Sequence, residues 1–358
     1  MNASRPTVSV IVPAYRAAKQ IEQMVLYLLR QDEEVLEVII VADGAVDETP
    51  EIAVRLDAAH SRVRAVILPE NVGVARAREA GVRAAVGDFV LFADADDSMP
   101  SDAIARLVDE AMSTGADVVI GSAEVLRPSG DIDFVLRGPR EFRTVSRLFA
   151  FRLLLRGVIT GHLWNKLIRR PLLEASLPFP TSDVHSDLAL TARTLAKADR
   201  VTFTDHIVYR YHANAGSILK SGRSRLLSLD RVEASVSTSA SEVDPRLLVT
   251  EDYRYFVARF ISLSRVKDAL VGPYSPGESR RLARTARRRL GWEDFALTVR
   301  RRDLRRAAMI LSAKVSLTAH GSVLSRGRDS TDVPIGGSGS PALRGSAAAT
   351  AAGSEVTG

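Results

Sequence analysis

Three carboxylates fall within four positions at Asp94-Ala95-Asp96-Asp97, directly after the apolar run of residues 89–93. Like charges this close repel and raise one another's pKa. A hard divalent cation relieves that repulsion, because carboxylate oxygens suit Mg²⁺ or Mn²⁺. A solvated acidic loop ahead of a helix, with Ser101 or Asp102 as N-cap, relieves it as well, and spacing alone does not choose. Polar residues also follow other apolar runs, at Pro13-Ala14-Tyr15-Arg16, Asp43-Gly44 and Asn71-Val72-Gly73. Each alone is ordinary turn chemistry. Their meaning depends on whether the fold brings them together.

The hydrophobic pattern says that it does. Residues 7–12 read as a strand closed by Pro13, and Ile21, Met24, Val25, Leu28 and Leu29 recur at helical spacing within 19–31. Further strands are predicted over 35–41, 63–68, 89–93 and 117–120. Helices are predicted over 50–59 (Thr49 as N-cap, Pro50 at N1), 73–85 and 103–113. This alternation predicts an α/β fold with a Rossmann-like, mostly parallel sheet covered on both faces. Ligands bind beyond the carboxyl ends of such strands. Four strand ends therefore deliver Pro13 and Tyr15, Asp43, Asn71, and Asp94 to Asp97 to one rim. Beyond it, helices are expected over 144–156 and 188–198 with a loop over 179–187. Two closing strands are expected over 201–203 and 207–211, then helices over 223–241 and 253–270.

The chain has 358 residues and no cysteine, which excludes disulfides, thiolate catalysis and Cys-ligated zinc. No signal peptide is apparent at the start, and no apolar run reaches the roughly 18 residues of a membrane span. The net charge is +6, but residues 280–306 hold eleven arginines against three acids, a local +8 that leaves −2 for the rest. In that segment Leu282, Leu290, Trp292, Phe295, Leu297 and Val299 suit an amphipathic helical pair on an anionic membrane surface. A solvated helix bundle with basic outer faces fits equally. No recognised module accompanies the charge, so no nucleic acid is expected as partner. Residues 325–358 are Gly/Ser/Ala-rich and read as a disordered tail.

Residues 8–97 resemble the nucleotide-sugar half of the family 2 glycosyltransferases, which have the GT-A fold. Val10-Ile11-Val12-Pro13-Ala14-Tyr15 resembles the family's opening strand and Pro-x-Tyr turn. Residues 41–49 resemble its Asp-Asp-Gly-Ser-x-Asp-x-Thr element. Asn71-Val72-Gly73 followed by Ala77-Arg78-Glu79-Ala80-Gly81 resembles Asn-x-Gly and Ala-Arg-Asn-x-Gly. Phe92 to Asp97 resembles its Asp-x-Asp-Asp metal element. Trp164-Asn165-Lys166-Leu167 and Tyr209-Arg210-Tyr211-His212 resemble segments of the bacterial polysaccharide-type members. Ser186-Asp187 falls where those members carry Glu-Asp, whose Asp is the catalytic base.

The resemblance implies an inverting, hexosyltransferase-type enzyme. It would move a sugar from a nucleoside diphosphate, most readily UDP, to a saccharide or lipid-linked acceptor in cell-surface polysaccharide or glycoconjugate synthesis. Asp96 and then Asp94 would hold Mn²⁺ or Mg²⁺, with Asp97 supporting them or meeting the sugar. Asp43 would accept the imide N–H of uracil, Pro13 and Tyr15 would flank the base, and Asn71 would line the donor site. Arg78 would reach the diphosphate or a donor-side carboxylate, and Asp187 would be the base. The implied organisation is a catalytic domain over 1–218 (nucleotide-sugar half 1–121, acceptor half 122–218), a basic helical extension over 219–324 and the tail. The implied location is cytoplasmic, at most peripheral on the inner face of the plasma membrane.

Some positions depart from the family. Ala42 and Ala45 replace an acid and a serine, Arg16 and Glu79 stand where Asn is common, and Ser186 replaces Glu. His185 is either a rival base or a solvated loop residue. A non-catalytic sugar-nucleotide-binding regulatory subunit on the same fold is the alternative. A nucleotidyltransferase is disfavoured, because residues 13–16 offer no glycine for a phosphate loop.

Overall fold

The computed structural model describes residues 5–31, 35–139, 141–182, 184–213 and 225–317. The chain divides into two compact units, Met1–Tyr253 and Arg254–Gly358.

The first unit opens with strands β1 (Val8–Ala14), β2 (Val35–Asp43), β3 (Val63–Leu68) and β4 (Phe89–Phe92), all parallel in the order β3-β2-β1-β4. Helices α1 (Ile21–Leu29), α2 (Thr49–Ala59) and α3 (Val74–Ala84) connect them. Val10, Ile11, Val12 and Val38 to Ala42 are fully buried, as strands sandwiched between helix layers must be. Ala14 lies opposite Ala42, Asp43 opposite Leu68 and Ile11 opposite Phe92. That register sets the residues after these strands along one edge.

The chain continues through α4 (Ala103–Thr114), β5 (Val118–Leu126), β6 (Ile132–Leu136), β7 (Thr144–Ser146), α5 (Arg147–Arg156), β8 (Lys166–Arg169), α6 (Arg170–Glu174), α7 (Ser186–Leu195) and β9 (Arg200–His212). The sheet extends from β4 as β8-β5-β9-β7, with β6 on β5. It is mixed, since β8 runs antiparallel to both β4 and β5 while β5 and β9 are parallel.

Two expectations are corrected here. The two closing strands are one strand, β9, because register shifts around Ser122 absorb the intervening residues while pairing with β5 continues. The helix expected from 144 begins at Arg147, because Thr144 and Val145 pair with Thr202 and Val201. The Trp-Asn-Lys-Leu segment leads into β8, a central strand too short for its pattern to announce. Helix α8 (Leu226–Val243) packs on α7, so the first unit extends beyond residue 218.

The second unit is helical. After α9 (Glu251–Phe256) come a π-helical stretch Val257–Ser262, α10 (Leu263–Val271), α11 (Pro276–Arg288), α12 (Trp292–Arg300) and α13 (Leu304–Val315). Ser275 and Glu278 form a capping box at the start of α11. Leu263, Val266, Leu290, Ile310 and Ala313 form its core. Of the apolar residues between 282 and 299, Leu290 lies in this core and Leu297 is buried, while Trp292 and Val299 are exposed. Among the described residues no helix is long and apolar enough to cross a membrane. The tail expected over 325–358 lies outside the described residues.

Candidate functional site

Strand β4 makes its last ladder bond at Ala93, whose N–H donates to the Ile11 carbonyl at 3.0 Å. The chain then turns, and Asp97 N–H donates to the Asp94 carbonyl at 3.3 Å. Within this turn Asp96 is exposed, Asp94 half-buried and Asp97 buried. The burial of Asp97 is compensated by two donors from β9. The Tyr209 hydroxyl donates to Oδ2 at 2.9 Å and the His212 N–H to Oδ1 at 2.8 Å. The same hydroxyl accepts the Asp94 N–H at 2.9 Å, so one side chain holds both ends of the acidic turn. Trp164 stacks on Tyr209 with ring centroids 4.7 Å apart, and His162 stacks on Trp164 at 4.7 Å. Burial, reinforced by the Asp94 and Asp96 charges, pushes the Asp97 carboxyl up to about 9. Asp94 is also raised, first by burial and then by Asp187 and Asp96, against the pull of Arg78.

Arg78 comes from α3 and is almost completely buried. Its guanidinium donates to Asp187 Oδ1 at 2.5 Å and to Asp94 Oδ1 at 3.1 Å, with Phe92 beneath it at 5.8 Å. The fork geometry of arginine lets one cation serve two carboxylates. Asp187 occupies the first turn of α7, where the helix dipole favours an acid. The neighbouring Ser186 hydroxyl donates to Asp187 Oδ1 at 3.3 Å. Glu79, one residue after Arg78, accepts from Arg76 and Arg83 and from the Phe179 N–H at 2.9 Å. Helix α3 thereby holds both Asp187 and the loop that leads to it. Below them Lys166 is buried, its ammonium donating to the His162 carbonyl and to Asn165 Oδ1. Burial lowers Lys166 to about 7, with the Asp187 charge pulling the other way. Burial and the Lys166 charge lower His162 to about 4.

Along the rim, Asp43 is buried and both of its oxygens accept backbone N–H groups, from Val72 at 2.8 Å and Gly73 at 3.0 Å. Gly44 makes this approach possible. It sits at φ +56°, and a Cβ there would lie 2.1 Å from the Glu70 carbonyl carbon. Asn71 is exposed at the loop so fixed, Pro13 is half-buried, and Tyr15 is 45% exposed with the Arg16 guanidinium 5.3 Å from its ring. The loops after β1 and β2 are tied together by Thr49, whose hydroxyl donates to Asp47 at 2.6 Å and accepts the Ala17 N–H at 2.9 Å. A small pocket opens beside Asp187, lined by Arg78, Leu163, Phe179 and Ser186 among others.

Of the residues singled out from the sequence, Asp94, Arg78 and Asp187 are directly linked, and Asp97 joins them through Tyr209. Asp43, at the end of β2, holds the β3–α3 loop that carries Asn71, and Pro13 and Tyr15 lie at the end of β1. His185 forms the left-handed entry to α7 at φ +63°. Sequence reading did not assign Tyr209, Glu79 or Lys166 their parts. The aromatic spacing of residues 209–211 was the one available signal, and nothing local marks which acid an aromatic hydroxyl will meet.

The acidic turn suits a divalent cation in donor chemistry. Asp94 and Asp96 would supply hard oxygens, and the Asp94 carboxyl, raised first by burial and then by the Asp187 and Asp96 charges, is one that a nearby cation would help to ionise. Among the described residues no cluster of three or more His, Cys, Asp or Glu groups stands ready for a metal.

A parallel half-sheet with an acidic turn at its carboxyl edge, extended by a mixed half carrying a second acid, defines an α/β protein of the GT-A type. The solved structures agree on the fold. S. aureus TarS 1–349 in complex with UDP-GlcNAc superposes with a TM-score of 0.66 at 19% identity, over 90% of this chain and 91% of that one. The mannosyltransferase PcManGT of Pyrobaculum calidifontis, in complex with GDP-Man and Mn²⁺, gives 0.51 at 20% identity, over 92% and 89%. Residues 9–177, a little under half of the chain, match the model of glycosyl transferase family 2. Among curated relatives, the uncharacterized glycosyltransferase EpsJ of Bacillus subtilis is 30% identical over 223 residues, 60% of this chain and 63% of that protein. The succinoglycan biosynthesis protein ExoO of Rhizobium meliloti is 28% identical over 244 residues, 65% of this chain and 66% of that protein. The matches thus span a little under two thirds of these two relatives.

Proposed function

We propose that the chain is an inverting, metal-dependent hexosyltransferase. It would move a sugar from a nucleoside diphosphate, UDP foremost, to an acceptor hydroxyl in polysaccharide or glycoconjugate synthesis. The observation that carries this reading is the Arg78 bridge, which puts the donor-side Asp94 and the candidate base Asp187 on one guanidinium. An acid for the donor's cation and an acid for the acceptor's proton are what a single displacement needs, and here they are neighbours.

In this reading Pro13 and Tyr15 flank the base, and Asp43 with the Asn71 loop meets its edge. Because both Asp43 oxygens already take backbone N–H groups, its contact with uracil would use their remaining lone pairs. Asp96 and Asp94 hold Mn²⁺ or Mg²⁺, which when bound offsets the charge developing on the diphosphate. Asp187 takes the proton from the acceptor hydroxyl as that oxygen bonds to the anomeric carbon and the bond to the diphosphate oxygen breaks. The nucleoside diphosphate leaves with the bonding pair. One base and no enzyme nucleophile give inversion, the logic of inverting glycoside hydrolysis with a hydroxyl in place of water. The buried Arg78 keeps Asp187 oriented. TarS was solved with UDP-GlcNAc and PcManGT with GDP-Man and Mn²⁺, and these ligands support the donor and metal classes named here. The acceptor is a saccharide or lipid-linked saccharide. We place the protein in the cytoplasm, peripheral on the anionic inner face of the membrane.

A second reading is favoured by Ser186. With serine before Asp187 and Arg78 holding its Oδ1, the chain would be a sugar-nucleotide-binding subunit without transfer. Nucleoside diphosphate release from UDP-, dTDP- and GDP-sugars with Mn²⁺, with and without membrane extract, separates the two. Turnover by wild type that Asp187→Asn abolishes supports transfer. Metal-dependent binding with wild type and Asp187→Asn equally inert favours the subunit.

A further inference from the structure

We propose that α13 seats the protein on an anionic lipid bilayer through an outer apolar stripe made of Leu304, Ala308, Leu311 and Val315. The inference rests on the membrane placement given above and is independent of the transfer chemistry.

The inner face of α13, Ala307, Ile310 and Ala313, is buried in the core of the second unit. A helix that packs on one side and meets water on the other carries polar residues outside. Helix α13 does not. Positions 304, 308, 311 and 315 fall on one line of the helix, and all four are exposed. Leu304 and Val315 are 68% and 71% exposed. Trp292 is also exposed and stands by the far end of the line. The Lys314 ammonium lies 5.5 Å over its ring, next in sequence to Val315 and one turn from Leu311.

Cations edge this stripe. Arg305 is exposed between Leu304 and Ala308 along the helix, and Arg302 is exposed just before α13. Elsewhere in the same unit, on α11, Arg280, Arg281, Arg284 and Arg288 are exposed while Ala283 and Ala286 turn inward. An apolar line, an indole near one end and flanking guanidinium groups are the makings of an interfacial helix. Such a helix sinks its apolar side chains to the acyl boundary and leaves its cations among the phosphates.

Charge complementarity selects this occupant. A second copy meeting the stripe across a two-fold axis would set this strongly basic surface against itself. The stripe's four side chains also fall far short of the roughly 20–30 residues a side of a stable dimer interface. A nucleic acid would use the arginines but leave the stripe in water.

The test is sedimentation of the full chain with vesicles of phosphatidylglycerol and phosphatidylcholine, beside vesicles of phosphatidylcholine alone. The chain has two tryptophans and Trp164 is buried, so a blue shift on binding reports Trp292. Wild type should bind the anionic vesicles with a blue shift, and Leu311→Asp/Val315→Asp should bind them about tenfold or more weakly. A circular dichroism melt confirms that the variant is folded. Should it melt early, Trp292→Ala and Arg280→Gln/Arg281→Gln/Arg284→Gln replace it, each expected to weaken binding. Absence of wild-type binding to any vesicle overturns the proposal, as does equal binding by every folded variant. Light scattering that shows a dimer split by the aspartates also overturns it, in favour of a second copy. Metal-dependent donor binding by the same double variant reports on the site separately, so loss of vesicle binding and failure of the transferase reading are distinguishable.

Discussion

Arg78 donates to Asp187 at 2.5 Å across 109 positions of sequence, and its other amino group reaches Asp94. The two halves of the sheet thus share a buried cation at their common edge. In the transferase reading, changing position 78 uncouples donor and acceptor sides. Arg78→Met should lower kcat by ~10²-fold or more, on the scale of losing one preorganised charge-stabilising donor. Arg78→Lys should not restore it, because a single ammonium cannot span both carboxylates as the fork does. Steady-state nucleotide release by both variants checks this, and near-wild-type turnover by the lysine variant would refute it.

Tyr209→Phe should keep the Trp164 stack but release the acidic turn. The change removes a donor to Asp97 and the acceptor for Asp94 N–H. A stability loss of about 1–3 kcal/mol follows for buried groups left unpaired. The metal concentration for half-maximal activity should rise as well. Urea unfolding and a Mn²⁺ titration measure the two effects.

Gly44→Ala should damage the donor rim from a distance. Alanine at φ +56° is strained and its Cβ has no room beside Glu70. Relief requires the 70–73 loop to retreat from Asp43, so the expected outcome is a raised KM for the donor with a smaller change in kcat.

Lys166 gives a pH signature. Its folded pKa of about 7 lies below the unfolded value of 10.5, so the unfolded chain binds the extra proton between those limits. Stability from this group is full above pH 10.5 and is lost as pH falls toward 7. Lys166→Met should lack that slope. Urea midpoints compared between pH 7 and 10 should show wild type gaining on the variant as pH rises, and parallel curves would contradict the burial of a charged lysine here.

The parallel half of the fold was legible because β1, β2 and β4 are largely buried on both faces and each of its strands is followed by turn residues. Pro13, Asp43, Gly73 and Asp94 announced the strand ends that the register then aligned. The mixed half was less legible. Strand β8 has four residues, and its placement between β4 and β5 is a tertiary choice with no local pattern. Strand β9 hid its continuity behind Asp205 and His206, polar residues that a register shift accommodates. In the site, the acids were visible as acids. That Arg78 would reach a donor-side carboxylate was foreseen, and Asp94 lies 16 positions away, but its pairing with Asp187 and that of Tyr209 with Asp97 span 109 and 112 positions, which no spacing rule reaches.

The central claim is that the turn from Asp94 to Asp97 holds a metal-bound sugar nucleotide and that Asp187 serves the acceptor. Its most direct test is nucleoside diphosphate release with Mn²⁺ by wild type, Asp96→Ala and Asp187→Asn in parallel, with donor binding measured on each. The account predicts that Asp96→Ala loses metal-dependent binding. It predicts that Asp187→Asn keeps binding but turns over ~10²–10⁴-fold more slowly, the usual contribution of a general base. Metal-dependent binding that survives Asp96→Ala, or undiminished turnover by Asp187→Asn, would contradict it.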